Sequence, residues 1–199
     1  MKKKHYCLSL LIFSFLLLIT RSGFAQSPLS KGDAAPVFSA RASLAGSEFD
    51  FSLKRALAKG PVVVYFYPSA YTGGCDAEAH AFAELKDKFT AAGATIIGVS
   101  ADDIQRLNTF SSDPNYCAGK FPVASDAEGK IAASYGLTMT PLKAVFKEVR
   151  GIDVTHGIIA RTTFVISKED KIVAVFSSQT DKISPADHVE KSLAIVKGL

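Results

Sequence analysis

The sequence predicts an α/β fold in which a central mixed β-sheet is flanked by helices on both faces. Two apolar, strand-like runs, at 61–67 and 94–100, are each followed by a segment with apolar residues at helical spacing. Strands joined through helices in this way lie parallel in one sheet. Near the carboxyl end, two further strands surround the turn residues 168–171, which predicts an antiparallel hairpin and makes the sheet mixed.

The elements before residue 100 follow from local patterns. Gly32 to Phe38 leads into the alternating residues 48–51, which predicts a short N-terminal β-hairpin. Ser52 is placed to cap a brief helix that ends near Gly60. The run 61–67 is continuously apolar, as expected of a strand buried on both faces. From Cys75 to Ala92 apolar residues recur at helical spacing, and Gly93 ends that helix.

The second half of the chain alternates in the same way. Asp102 or Asp103 caps a helix through Phe110, and Pro185 opens the last helix. Between them the patterns predict a strand at 121–124, a helix at 127–135 and hairpin strands at 162–166 and 172–176. Residues 137–160 show no clear period, which predicts a loop with at most one short strand.

The first 25 residues are typical of a signal peptide. Lys2, Lys3 and Lys4 precede an apolar run over 6–20, which is shorter than the about 20 residues a spanning helix needs. Gly23-Phe24-Ala25 fits a signal-peptidase site with cleavage before Gln26. We therefore expect an exported protein, in the periplasm if the cell is Gram-negative, with one domain over 26–199. An uncleaved membrane anchor is the alternative.

Charge and cysteine content narrow the function. Four of the 23 Lys and Arg lie in the leader, so the mature chain keeps 19 basic residues against 19 acidic ones. A neutral domain has no electrostatic footprint for nucleic acid, and no stable membrane association is expected after cleavage. Cys7 belongs to the leader. Cys75 and Cys117 remain, and in an exported protein they can form a structural disulfide or carry chemistry.

The segment 67–78 is the most informative stretch. It is a turn-rich loop between a buried strand and a long helix, and it places Cys75 in the first helical turn. Unpaired backbone N–H groups and the helix dipole favour an anion there, so we expect a lowered thiol pKa. His80, His156 and His188 are too scattered for a metal cluster and are expected in surface or packing roles. No metal or cofactor is predicted.

This loop resembles the active-site motif of the peroxiredoxin family. The motif is Pro68-x-x-x-Thr72-x-x-Cys75, and Glu78 occupies the acidic position three residues later. Residues 32–38 and the strand that begins at Arg161 also resemble family segments. Within the family, the pairs Tyr67-Pro68 and Gly74-Cys75 and the later Pro185-x-x-His188-Val189 resemble the peroxiredoxin Q, or bacterioferritin comigratory protein, subgroup.

The resemblance implies a thioredoxin-like fold and a thiol peroxidase that reduces hydrogen peroxide or organic hydroperoxides without a bound cofactor. By analogy, Cys75 is the attacking thiolate and Thr72 holds the sulfur and the peroxide oxygen together. Pro68 shields the sulfur from water. Arg161 keeps the sulfur anionic, while Glu78 orients Arg161 or caps the helix. Backbone N–H groups near residues 74 and 75 complete the cradle.

The same resemblance assigns Cys117 as the resolving cysteine on the next helix, because His80 stands where many subgroup members carry theirs. Disulfide formation would then need local unfolding after Cys75. Asp76 departs from the family pattern, and its carboxylate is expected to oppose thiolate formation. The resemblance also implies a monomer that is recycled by a thioredoxin-like dithiol reductant.

Two other functions stay open at this point. The first is a thiol–disulfide exchange protein, although the C-x-x-C pair used by such proteins is missing, since Cys75 is followed by Asp76-Ala77-Glu78. The second is a redox-sensing domain in which a Cys75–Cys117 disulfide is the signal. A sensor oxidises once and persists, whereas a peroxidase turns over with a reductant.

Overall fold

A seven-stranded sheet forms the centre of the protein, as seen in a computed structural model that describes residues 27–199. The strands along the chain are β1 (Ser39–Leu44), β2 (Ser47–Ser52), β3 (Val62–Phe66), β4 (Thr95–Ser100), β5 (Val123–Ser125), β6 (Met139–Thr140), β7 (Phe146–Lys147), β8 (Asp153–Val154), β9 (Ile158–Ile159), β10 (Thr162–Ile166) and β11 (Ile172–Ser177). The helices are α1 (Leu53–Leu57), α2 (Gly73–Ala91), α3 (Ile104–Ser112), α4 (Lys130–Ser134) and α5 (Pro185–Val196).

The sheet is mixed, as predicted. Its order is β11-β10-β3-β4-β5-β1-β2. The central strands β3, β4 and β5 are parallel, while β10 is antiparallel to β3 and β1 is antiparallel to β5. The predicted N-terminal hairpin is β1–β2, and the predicted carboxyl-terminal hairpin is β10–β11.

Burial explains why β3 lies near the middle of the sheet. All five of its side chains are buried, and successive residues face opposite layers. Val63 and Tyr65 belong to the core that includes α2 and α5, whereas Val64 and Phe66 belong to the core that includes α1 and α4. Each such side chain contributes on the order of 1.5–3 kcal/mol through burial. Burial on both faces therefore keeps β3 in the interior of the sheet.

Side-chain caps set several helix boundaries. Ser52 caps α1 and Asp103 caps α3. In each case the side chain accepts the backbone N–H of the residue three positions later. Ser184 forms a capping box with Asp187 just before Pro185. The start of α4 lies later than predicted, because the Asp126 carboxylate accepts the N–H groups of Ile131 and Ala132 at 3.0 and 2.8 Å.

The prediction for residues 137–160 was wrong. This segment contains four short strands, arranged as two antiparallel pairs, β6 with β9 and β7 with β8. The β7–β8 pair is nested inside the β6–β9 pair, so the segment folds as an extended hairpin. Each strand has only two residues, which is too short for an alternating pattern to show in the sequence.

The predicted signal peptide, residues 1–25, lies outside the described residues and stays a prediction. Within residues 27–199, no helix combines the length and apolar character needed to cross a membrane.

Candidate active site

Cys75 lies in the first turn of α2, directly beyond the carboxyl end of β3. The chain leaves β3 at Phe66, crosses a short loop and begins α2 at Gly73, with Thr72 as the N-cap. Cys75 is only 2% exposed. Gly73 and Gly74 beside it are exposed, so the site opens to solvent at the helix start.

Arg161 donates to the Cys75 sulfur, with its Nη2 at 3.2 Å from Sγ. The Ser69 N–H and the Thr72 side chain also act on the sulfur, since each lowers the pKa of Cys75. The Thr72 hydroxyl donates to the Ser69 carbonyl at 2.7 Å. In that arrangement its lone pairs remain available to accept the O–H of a hydroperoxide.

The backbone part of this cradle differs from the expectation. The Cys75 N–H donates to the Thr72 carbonyl at 2.7 Å and is therefore engaged at the helix start. The backbone N–H that lowers the pKa of Cys75 belongs instead to Ser69. Pro68, half-buried, is the residue directly before Ser69 and fixes the backbone where the loop begins.

The expectation of a lowered Cys75 pKa was wrong. Burial raises the pKa of Cys75 above its ordinary value, although Arg161, the Ser69 N–H and the Thr72 hydroxyl each lower it. Desolvation of the sulfur outweighs these three effects, because the thiolate would lose almost all contact with water. The surrounding donors thus limit the cost of ionising a deeply buried thiol.

Arg161 links Cys75 to Glu78. It lies immediately before β10, and its Nη1 donates to Glu78 Oε2 while Nη2 contacts the sulfur. Burial lowers the pKa of Arg161, but Glu78 and Cys75 raise it by more. The net pKa lies above the ordinary arginine value, so the guanidinium stays charged. Glu78 is fully buried, and its Oε1 has no hydrogen-bond partner among the described residues. Burial therefore raises the pKa of Glu78 to about 7 despite Arg161.

His188, on α5, lies beside Glu78, with its Nδ1 3.9 Å from Glu78 Oε1. It is fully buried, its Nδ1 is 2.9 Å from the Thr163 hydroxyl, and its Nε2 is 3.0 Å from the Ser178 hydroxyl. Burial and the charge of Arg161 lower the pKa of His188 to about 4. A neutral imidazole with two hydroxyl partners has a packing role, which is within the range expected for the histidines.

Cys117 follows α3 rather than lying on it. It is fully buried in a turn between Ser112 and β5, within the same apolar core that contains Cys75. Both cysteines are free thiols. Burial raises the pKa of Cys117 well above its ordinary value, and Asp113 and Asp76 raise it further. Cys117 in this position is therefore a poor nucleophile.

Asp76 is buried next to Cys75, and its Oδ1 has no hydrogen-bond partner among the described residues. Burial raises the pKa of Asp76 to about 6, although the backbone N–H groups of Tyr71 and Thr72 lower it.

A contact that no sequence pattern indicated joins the 137–160 segment to this loop. The Val149 N–H donates to the Tyr71 carbonyl at 3.1 Å, and the Arg150 guanidinium lies 3.2 Å from the centroid of the Tyr71 ring. Tyr71 itself has a positive φ of 62°, which is costly for a residue with a Cβ. The turn between β7 and β8 therefore contacts a strained residue of the loop that precedes Cys75.

Gly74 allows Arg161 to approach the helix start. A Cβ built at Gly74 would lie 3.3 Å from Arg161 Nη2, whereas one built at Gly73 would meet nothing within 4 Å. We expect Gly74→Ala to displace the guanidinium and slow Cys75 oxidation by about tenfold, because small misplacements of catalytic groups are costly. Gly73→Ala is the matched control, since both changes improve helix propensity equally. Equal rates for the two variants, measured by stopped-flow with hydrogen peroxide, would contradict this role of Gly74.

Glu78 gives a stability prediction with a defined pH window. A carboxyl whose pKa is raised on folding stabilises the folded state below its unfolded pKa, and that contribution is lost as pH rises through the folded pKa. Relative to Glu78→Gln, the free energy of unfolding of the wild type should fall between about pH 4.5 and 7. The fall should be on the order of 3 kcal/mol. Urea titrations measure it, and exposed Glu84→Gln on the same helix is the control. A difference that stays flat across this window would count against the buried carboxyl.

Comparisons with known proteins agree with this geometry. Residues 31–175 match the model of the AhpC/TSA family. A chloroplastic peroxiredoxin Q from Oryza sativa subsp. japonica is 30% identical over 180 residues, which cover 90% of this chain and 72% of that protein.

Solved structures give the same result. Peroxidoxin BcpB from Mycobacterium tuberculosis is 29% identical with a TM-score of 0.69, over 86% of this chain and 98% of that one. A bacterioferritin comigratory protein from Xanthomonas campestris is 30% identical with a TM-score of 0.60, over 79% and 90% of the two chains. The thioredoxin-like fold, the subgroup resemblance and the prediction of a peroxidase-type oxidoreductase are confirmed. The chain belongs to the AhpC/TSA family and is a peroxiredoxin.

Proposed function

We propose that this peroxiredoxin reduces hydrogen peroxide and organic hydroperoxides through Cys75, with Cys117 as the resolving cysteine. The observation that carries the proposal is the contact between Arg161 Nη2 and the Cys75 sulfur at a helix N-terminus. A permanent cation beside a buried thiol stabilises both the thiolate and the charge that develops on peroxide oxygens. Thr72 supplies the acceptor that orients the hydroperoxide.

The first step is a two-electron transfer from sulfur to peroxide. The Cys75 thiolate attacks the terminal oxygen of R–O–O–H, the S–O bond forms and the O–O bond breaks. The leaving alkoxide or hydroxide takes a proton from solvent and departs as an alcohol or water. Cys75 becomes a sulfenic acid, and sulfur is oxidised as the peroxide is reduced. Arg161, which contacts the sulfur through Nη2, donates to the leaving oxygen as its charge grows.

The second step joins the two cysteines. The Cys117 sulfur attacks Cys75, an S–S bond forms, and the sulfenic oxygen leaves as water. Cys117 is fully buried, so its segment and the start of α2 must open first. Ala118 has a positive φ of 51° and Tyr71 one of 62°. Strain of roughly 1–2 kcal/mol at each such residue favours local opening of both segments.

A thioredoxin-like dithiol protein then reduces the disulfide to two thiols by thiol–disulfide exchange, and its own dithiol is oxidised to a disulfide. Organic hydroperoxides are included as substrates because the related Xanthomonas campestris protein is described by its alkyl peroxide reduction activity. The exposed Gly73 and Gly74 leave room for a substrate to enter beside Cys75. The basic and apolar pattern of the first 25 residues supports export, with the periplasm as the site of action.

The raised Cys75 pKa predicts how the first step depends on pH. Below that pKa the thiolate is the minor form, so the oxidation rate should rise about tenfold per pH unit until the thiol titrates. Arg161→Ala should shift this profile to higher pH, because the cation lowers the Cys75 pKa. Stopped-flow oxidation by hydrogen peroxide across pH 6 to 9 measures both curves. A flat wild-type profile over this range would contradict the burial argument.

Intact mass spectrometry separates the roles of the two cysteines. After one equivalent of hydrogen peroxide and thiol trapping, the wild type should lose two hydrogen atoms as the disulfide forms. Cys117→Ser should instead gain one oxygen on Cys75, because the sulfenic acid has no partner. Cys75→Ser is the control and should remain unmodified. If Cys117→Ser still turns over normally with a dithiol reductant, Cys117 is not the resolving residue.

A further inference from the structure

A buried carboxylate anchors the loop that precedes Cys75. Asp102 lies between β4 and α3 and is fully buried. Its Oδ2 accepts the Ala70 N–H at 2.8 Å and the Ser100 hydroxyl at 2.7 Å, and its Oδ1 accepts the Ser69 hydroxyl at 2.8 Å. Asp102 therefore fixes Ser69 and Ala70, whose backbone leads directly into Thr72.

His156, from the 137–160 segment, completes this cluster. Its Nε2 is 2.9 Å from Asp102 Oδ1, and its Nδ1 is 2.8 Å from the Gly157 carbonyl. Both of these oxygens can only accept once Asp102 is ionised, so both ring nitrogens must carry protons. The geometry therefore selects the charged imidazolium form of His156.

The charges around His156 are consistent with that form. Burial lowers the pKa of His156, but the hydrogen bond and charge of Asp102 outweigh burial and raise it, while Arg106 lowers it. Arg106 lies 3.5 Å from the same Asp102 oxygen and also donates to the Asp153 carbonyl of β8 at 2.8 Å. Burial raises the pKa of Asp102, yet His156 and the surrounding donors bring it below its ordinary value.

The cluster is not a nucleophilic triad. Ser69 is fully buried, and its hydroxyl donates to Asp102. The His156 Nε2 lies 3.4 Å from the Ser69 oxygen but is turned to the same carboxylate. Ser69 thus has neither access to a substrate nor a free base to activate it.

We propose that His156 is a positioning residue for peroxide reduction, whose imidazolium, paired with Asp102, holds the Ser69–Thr72 backbone in its reactive geometry. Two groups of the catalytic loop depend on this anchor. The Ser69 carbonyl accepts the Thr72 hydroxyl at 2.7 Å, and the Ser69 N–H lowers the pKa of Cys75. The proposal rests on the proposed function, and it gives the 137–160 segment a role at the site.

The sign of the pH effect follows from the raised His156 pKa. The ion pair is fully formed below the ordinary histidine pKa of about 6.5 and is lost as pH rises through the higher folded value. When His156 loses a proton, the lone pair of one ring nitrogen faces an oxygen that can only accept. The His156–Asp102 pair then weakens, and Asp102 anchors Ser69 less firmly. Its effect on rate is opposite in sign to that of Cys75 ionisation.

The test compares His156→Gln, which keeps a donor but no charge, with His156→Leu, which keeps neither. We expect Cys75 oxidation by hydrogen peroxide to slow by about tenfold in the Gln variant and more in the Leu variant. The Cys75 pKa, read from thiolate absorbance, should rise in both. The wild-type advantage over His156→Gln should shrink as pH rises past the His156 pKa. Exposed His80→Gln is the control and should leave rate and Cys75 pKa unchanged.

Folded variants with the wild-type rate and the wild-type Cys75 pKa would overturn the proposal. A second measurement needs no variant: an NMR titration of the wild-type His156 ring should show an imidazolium that persists above pH 6.5. A neutral His156 ring at pH 6 would also overturn the proposal. Neither the ring titration nor the Cys75 pKa requires peroxidase turnover, so failure here is distinguishable from failure of the proposed function, in which wild-type Cys75 does not react.

Discussion

The active site depends on one buried cation that serves two partners. The Arg161 guanidinium donates to the Cys75 sulfur through Nη2 and to Glu78 through Nη1. Removing either partner would leave a buried charge less well compensated, which is costly inside a protein. The fold supplies the geometry: β10 carries Arg161 beside β3, and α2, which follows β3, carries both Cys75 and Glu78 one turn apart.

Burial and activation oppose each other at Cys75. Exclusion of water raises its pKa, but in a water-poor site the Arg161, Ser69 and Thr72 contacts act more strongly on charge. Because Cys117 is buried and unreactive in this conformation, disulfide formation requires the Cys117 segment and the start of α2 to open. Two sets of contacts oppose this opening and hold the loop before Cys75 in place. One joins Val149 and Arg150 to Tyr71, and the other is the Asp102–His156 pair.

Much of the fold could be predicted from the sequence because its central elements are long and strongly patterned. The runs that became β3, β4 and β10, and the helical spacing of α2 and α5, required no tertiary information. The contact between Cys75 and Arg161 was expected from the family resemblance, and the structure places the two side chains together. The roles assigned to Thr72, Glu78 and Cys117 stay predictions until their variants are measured.

The remaining features depend on contacts between distant residues. The strands of the 137–160 segment have two residues each and carry no periodicity. His156 and Asp102 are far apart in the chain, so nothing local pairs them. The Cys75 pKa was misjudged because a helix N-terminus is visible in sequence, whereas the degree of burial, which dominates here, is set by the whole fold.

The central claim is that peroxide reduction runs through the Cys75 sulfur. The most direct measurement is steady-state consumption of hydrogen peroxide with a dithiol reductant by the wild type and by Cys75→Ser, at matched concentration and confirmed folding. The account predicts sustained consumption by the wild type and none above background for Cys75→Ser. Activity retained in Cys75→Ser would contradict it, because Arg161 and Thr72 would then be arranged around a residue that the reaction does not use.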